Sequence, residues 1–191
     1  MAINLQKGET IVLDKAEYDL SLMTMGLGWD VRKSVFGKAF DLDAYAILLG
    51  ADDKLLANKD LIYYANLRSH DGTVAHSGDN LTGAGQGDDE QISIRLSQIS
   101  DKYQKIILGV SIYEAKARNQ HFGMVENAFV RAIDAKGVEI ARYSLSGDDS
   151  YAGKISMLMG AVYRRNGEWK FRALGNALEA KMVEVVGSFS R

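Results

Sequence analysis

Apolar and polar residues alternate with a period of two along much of this 191-residue chain. Leu20 to Leu27, Asp41 to Leu49, Gln91 to Leu96 and Val138 to Leu145 each place apolar side chains at every second position, the pattern of strands with one buried face. Apolar runs at Ile106–Tyr113 and Phe122–Ile133, with β-branched and aromatic residues, predict two more. Trp169-Lys-Phe-Arg-Ala-Leu alternates again after Asn166-Gly167, a pair that predicts a hairpin from the strand around Met157–Tyr163. Roughly nine or ten short strands separated by turn residues predict a mainly β fold, a two-sheet antiparallel β-sandwich with a few short helices.

Two helices are predicted beside the strands. Ser97–Gln104 opens on a good N-cap residue. At the C-terminus, Leu178, Met182, Val185, Val186 and Phe189 recur at helical spacing with Glu179, Lys181 and Glu184 off the stripe, as in a helix that covers a sheet. The alternative is docking on a partner or a membrane, and the few basic residues on its polar face argue against the membrane. No composition shift or repeat divides the chain, so residues 1–191 are read as a single domain.

Composition then narrows the chemistry. The chain has no cysteine and no proline but 19 glycines, so disulfides, thiolate metal sites and cysteine nucleophiles are excluded. The N-terminus lacks a cationic region followed by an apolar run, and no apolar stretch approaches a membrane span, so a soluble, cytoplasmic protein is expected. A net charge of −2 argues against nucleic acid as a partner. The charge is unevenly spread: from Arg68 to Arg95 there is no intervening Lys or Arg, while Asp71, Asp79, Asp88, Asp89 and Glu90 fall inside that interval.

Most of that charge lies in or beside Gly78-Asp-Asn-Leu-Thr-Gly-Ala-Gly-Gln-Gly-Asp-Asp-Glu, where four glycines stand among hard oxygen ligands. Three consecutive carboxylates repel one another unless solvated or neutralised, and Ca²⁺ takes six to eight oxygens of this kind. Asp30 follows a predicted strand, and Asp41 and Asp43, two apart, point to one face of another, a face that continues as Tyr45, Ile47 and Leu49. On these features alone a metal site at the rim of the sandwich and a solvated surface turn are both open. The spacing is not that of an EF-hand, and the loop lacks the Lys-Ser/Thr of a phosphate-binding loop.

The segments Leu5-Gln-Lys-Gly, Gly26-Leu-Gly-Trp-Asp, Phe40-Asp-Leu-Asp-Ala, the acidic loop from Gly78 to Glu90, Asn127-Ala-Phe-Val-Arg and Glu168-Trp-Lys-Phe together resemble the TerD-like proteins of tellurite-resistance and bacterial stress operons. The resemblance runs nearly end to end. It implies a β-sandwich that binds calcium at clustered acidic loops and serves in resistance to tellurite and other stresses, with no known enzymatic reaction. Carried over residue by residue, it implies calcium ligands at Asp30, Asp41, Asp43, Asp79, Asn80, Asp88, Asp89 and Glu90, and more weakly at Glu114, which Lys116 and Arg118 would neutralise. Asn127 is expected to be structural. Calcium ions are the expected partners, with stress-operon proteins as candidates.

Two other functions use the same carboxylates. A metal-dependent hydrolase would need a general base, and His70, His76 and His121 show no catalytic or metal-ligand spacing. His70 and His76 flank Asp71-Gly72 and are expected to be exposed at a turn, and His121 to pack beside Phe122. A calcium-switched membrane module would need apolar loop tips, and the loop offers only Leu81 and Ala84. Met23, Met25, Met157 and Met159 read as strand positions.

Overall fold

The structure, a computed structural model, describes residues 2–31, 40–78, 88–144 and 149–190. Among these residues twelve strands form two six-stranded sheets. They are β1 (Ile3–Asn4), β2 (Thr10–Val12), β3 (Met23–Val31), β4 (Leu42–Leu49), β5 (Leu61–Ile62), β6 (Val74–His76), β7 (Glu90–Ile94), β8 (Lys105–Ile112), β9 (Val125–Ile133), β10 (Glu139–Ser144), β11 (Ser156–Arg165) and β12 (Glu168–Leu178). One sheet runs β1-β10-β9-β3-β7-β6 and the other β2-β12-β11-β8-β4-β5, all antiparallel except the β1–β10 edge. Two short helices accompany them, α1 (Ala115–Arg118) and α2 (Met182–Gly187).

The alternation explains the layers. Met23, Met25 and Leu27 of β3 face inward with Leu42, Ala44 and Leu48 of β4, and Met157 and Met159 join the same core between the sheets. The other face of β4 is apolar too. Tyr45, Ile47 and Leu49 form a second cluster with Ile107 and Val186, against which Met182 and Phe189 pack, so β4 is buried at all eight positions. The C-terminal stripe is therefore a cover for the outer face of this sheet. The β11–β12 hairpin turns at Asn166 and Gly167, both with positive φ (56° and 78°), as a type I′ pair requires.

Several boundaries differ from the sequence reading, each for a local reason. Residues 97–104 form successive turns instead of a helix, because the N–H of Gln104 is claimed by the Leu49 carbonyl and its own carbonyl by the N–H of Arg164. The strand expected from Leu20 begins at Met23, after the Asp19 carboxylate has accepted both the N–H (3.1 Å) and the hydroxyl (2.6 Å) of Ser21 in a side-chain turn. Phe122–Met124 is a 3₁₀ turn ahead of β9, and Leu178 ends β12 before the six-residue α2 starts.

Candidate functional site

At one end of the sandwich the last residues of β3 and β6 meet the first residues of β4 and β7. Glu90 opens β7 with its side chain pointing inward, and a carboxylate there must find donors. Its Oε2 accepts the N–H of Ala44 at 2.6 Å across the gap between the sheets. β5 pairs with β4 only at Ala46 and Ile47, so Ala44 lies beyond the end of that edge strand. His76 completes the contact: its Nδ1 accepts the N–H of Gly78 at 3.0 Å, which places the ring proton on Nε2. That nitrogen lies 3.1 Å from the Ala44 carbonyl oxygen and 3.3 Å from Glu90 Oε2. The N–H and the C=O of one β4 residue, in two adjacent peptide units, are thus both held by the other sheet.

His76 is therefore buried, in contrast to the exposed turn position expected for it, while His70 is exposed as expected. The reason is the strand period. Val74 faces the core, so His76 two residues later faces the same way.

Asp89 continues the pairing of β7 with β3 by donating its N–H to the Leu27 carbonyl at 2.8 Å. Its Oδ2 accepts the N–H of Trp29 at 2.9 Å, which brings it beside the backbone of Asp30. Opposite, β9 carries a bulge: Gly28 pairs with Phe129 and Asp30 with Glu126, leaving Asn127 and Ala128 against Trp29 alone. Asn127 takes the left-handed conformation this needs, with φ of 50°.

Asp88 is placed elsewhere. Its side chain is 1% exposed, with Oδ1 accepting from Arg131 Nε at 2.7 Å and Oδ2 from Gln91 Nε2 at 3.1 Å. Arg131 also reaches Glu139 at 2.9 Å, and Glu139 binds Arg142 through both carboxylate oxygens. The hydrogen bond to Asp88, with help from Glu139, raises the Arg131 pKa, and Arg142 followed by Arg131 lowers that of Glu139 against the effect of burial.

On the other sheet Asp41 and Asp43 are both 8% exposed. Arg118 of α1 stands between the acidic groups, with Nη1 3.8 Å from Asp41 Oδ2 and Nε 3.3 Å from Glu114 Oε2, its guanidinium over the Tyr113 ring. The expected neutralisation of Glu114 thus comes from Arg118. Asp43 sits opposite Ser111 and lines, with Tyr64, Tyr113, Glu114 and Met182, a cleft of about 450 Å³ at the edge of α2.

The structure brings Glu90 and Asp89 to the β4 and β3 backbones, places Asp41 and Glu114 around Arg118, and sets Asp88 apart with Arg131. Asp79 and Asn80 lie outside the described residues, as does the side chain of Asp30. Among the described residues no group of three or more histidines and carboxylates is arranged to hold a metal. The donors present are hard oxygens, which suit Ca²⁺, and six to eight of them would have to include further residues. Sequence reasoning missed His76 and Arg131. The first was legible from strand alternation; the second closes the matched segment Asn127-Ala-Phe-Val-Arg, but its partner Asp88, 43 residues away, carried no local signal. Among the described residues no helix is long and apolar enough to cross a membrane.

The TerD domain matches residues 1–189. Tellurium resistance protein TerD of Serratia marcescens is 44% identical over 190 residues, covering 99% of this chain and 97% of that protein. General stress protein 16U of Bacillus subtilis is 41% identical over 190 residues, with 99% and 97% covered. In structure, the chain is similar to a crystallised homologue of telluride resistance protein (TerD) from Streptomyces coelicolor, with a TM-score of 0.69 and 24% identity over 87% of this chain and 95% of that one.

Proposed function

The chain belongs to the TerD family, and from that premise we propose that it is a non-enzymatic calcium-binding stress protein that serves in resistance to tellurite and other stresses. In this reading Ca²⁺ orders the acidic end of the sandwich into a binding surface for protein partners. The observation that carries it is the grip of Glu90 and His76 on Ala44. Ala44 follows Asp43 and Glu90 follows Asp89, so this contact holds the aspartates of the two sheets at one end, where the chain also leaves for and returns from residues 79–87. Asp41, Asp43 and Asp89, with Asp30, Asp79 and Asn80, would supply the oxygens.

The hydrolase alternative is weakened by the same contact. His76 is the histidine at this end, and as a general base it would need an open ring nitrogen, but Nδ1 accepts from Gly78 and Nε2 is directed to Ala44 and Glu90. Calorimetric titration of metal-stripped protein with CaCl₂ tests the proposal. Heat of binding and a rise in Tm with added calcium are expected, because a ligand of the folded state alone stabilises it, and both should be lost in Asp41→Ala/Asp43→Ala. A flat titration with an unchanged Tm for the wild type would overturn it.

A further inference from the structure

Asp88 ends the acidic loop beside two other carboxylates, yet its environment is that of an anchor. Gly26, on β3, is its seat: a Cβ at that position would lie 2.1 Å from Asp88 Oδ2 and 2.3 Å from its Cγ, so a side chain here and the observed carboxylate exclude each other. This gives the first glycine of Gly26-Leu-Gly-Trp-Asp a steric reason. Above the seat, Arg131 and Gln91 take one carboxylate oxygen each. Arg131 is itself held from behind by Glu139 and lies 5.9 Å from the Phe129 ring centroid. A divalent cation at Asp88 would have to displace a 2.7 Å charge-assisted bond and sit against a guanidinium that cannot lose its proton.

We propose that Asp88 is a positioning residue: locked onto Gly26 by Arg131, it fastens the start of β7 to the outer face of the sheet and leaves the ion-binding role in the Asp88–Asp89 pair to Asp89. This rests on the calcium reading for the role of Asp89 but not for the lock. The lock makes a prediction opposite in sign to that of a ligand. If Asp88 were a ligand, Arg131 would compete with calcium for it, and removing Arg131 would tighten binding. If Asp88 is an anchor, removing Arg131 loosens the chain beside Asp89 and weakens binding.

The test uses the full chain as Asp88→Ala, Arg131→Gln, the double variant and Asp89→Asn, each by calcium titration and by melting of the metal-stripped protein. Asp88→Ala and Arg131→Gln are expected to lower the metal-free Tm by about 3 °C each, with the double variant falling short of the sum. Both should keep the wild-type calcium stoichiometry and weaken affinity by a similar factor, whereas Asp89→Asn should lose bound calcium without that loss of metal-free Tm. Tighter calcium binding by Arg131→Gln, or loss of a calcium equivalent in Asp88→Ala that Arg131→Gln retains, would overturn the proposal. If the wild type binds no calcium, the functional reading fails, and the metal-free cycle still decides the lock: additive melting shifts would refute it. Gly26→Ala, which blocks the seat while keeping both charges, should reproduce the Asp88→Ala phenotype.

Discussion

On the outer face of the β4 sheet, Tyr45, Ile47 and Leu49 lie fully buried beneath the C-terminal helix, whereas the outer face of the β3 sheet carries Asp88, Arg131, Glu139 and Arg142 in a chain of ion pairs. One face is fastened by removing apolar surface from water, a term that is non-directional and is not screened by salt as ion pairs are. The other is fastened by charge-assisted hydrogen bonds at 2.7–2.9 Å, which demand geometry and respond to pH. The acidic end where the two sheets meet borrows from both. Glu90 and His76 are polar groups in an apolar interior, satisfied by the backbone N–H and C=O of Ala44.

The comparison breaks most readily on its apolar side. Val186→Asp would put an uncompensated charge into the cluster around Ile47 and should cost about 3–5 kcal/mol in a urea melt. A loss below 1 kcal/mol would mean that α2 is dispensable as a cover. Next in size is Glu90→Ala, which strips the acceptor from the Ala44 N–H in a dry site and should cost about 2–3 kcal/mol. His76→Ala should be markedly non-additive with it, since both hold the backbone of Ala44 and touch each other.

On the charged face the effects shrink and acquire a pH signature. Glu139 has its pKa held below the usual value by Arg142 first and then Arg131. A depressed folded-state pKa contributes stability that is fully present above the unfolded value and lost as pH falls through the folded one. Glu139→Gln should therefore cost about 1 kcal/mol above pH 5 and give a flatter loss of Tm on acidification than the wild type. The smallest effect is that of salt. Raising NaCl to 1 M should weaken the Glu139–Arg142 coupling by a few tenths of a kcal/mol in a double-mutant cycle.

Strand alternation and the Asn166-Gly167 turn made the sandwich legible in the sequence, because each depends on neighbours one or two positions away. The three carboxylates 88–90 were not separable by such means. Their partners Arg131, Trp29 and Ala44 lie 43, 60 and 46 residues distant, so a run that reads as one acidic cluster is divided among an outer face, a strand backbone and the space between the sheets. Ser97–Gln104 failed as a helix for the same kind of reason: strands far along the chain claimed its last peptide groups. The proposed calcium ligands, Asp79 and Asn80 among them, rest on the family pattern, since the described residues bring no three of them together.

The first dozen residues have a consequence for how the protein is made. β1 pairs with β10 and β2 with β12, so a segment synthesised well before its partner strands forms one edge of each sheet. Neither edge can close until residues 139–144 and 168–178 have been synthesised. Nascent chains are thus committed to waiting with an unpaired leading segment, and pairings this distant in sequence are slow to form. Chaperone demand should accordingly rise until β12 has been made, and chains stalled before Trp169 should remain protease-sensitive at residues 3–12.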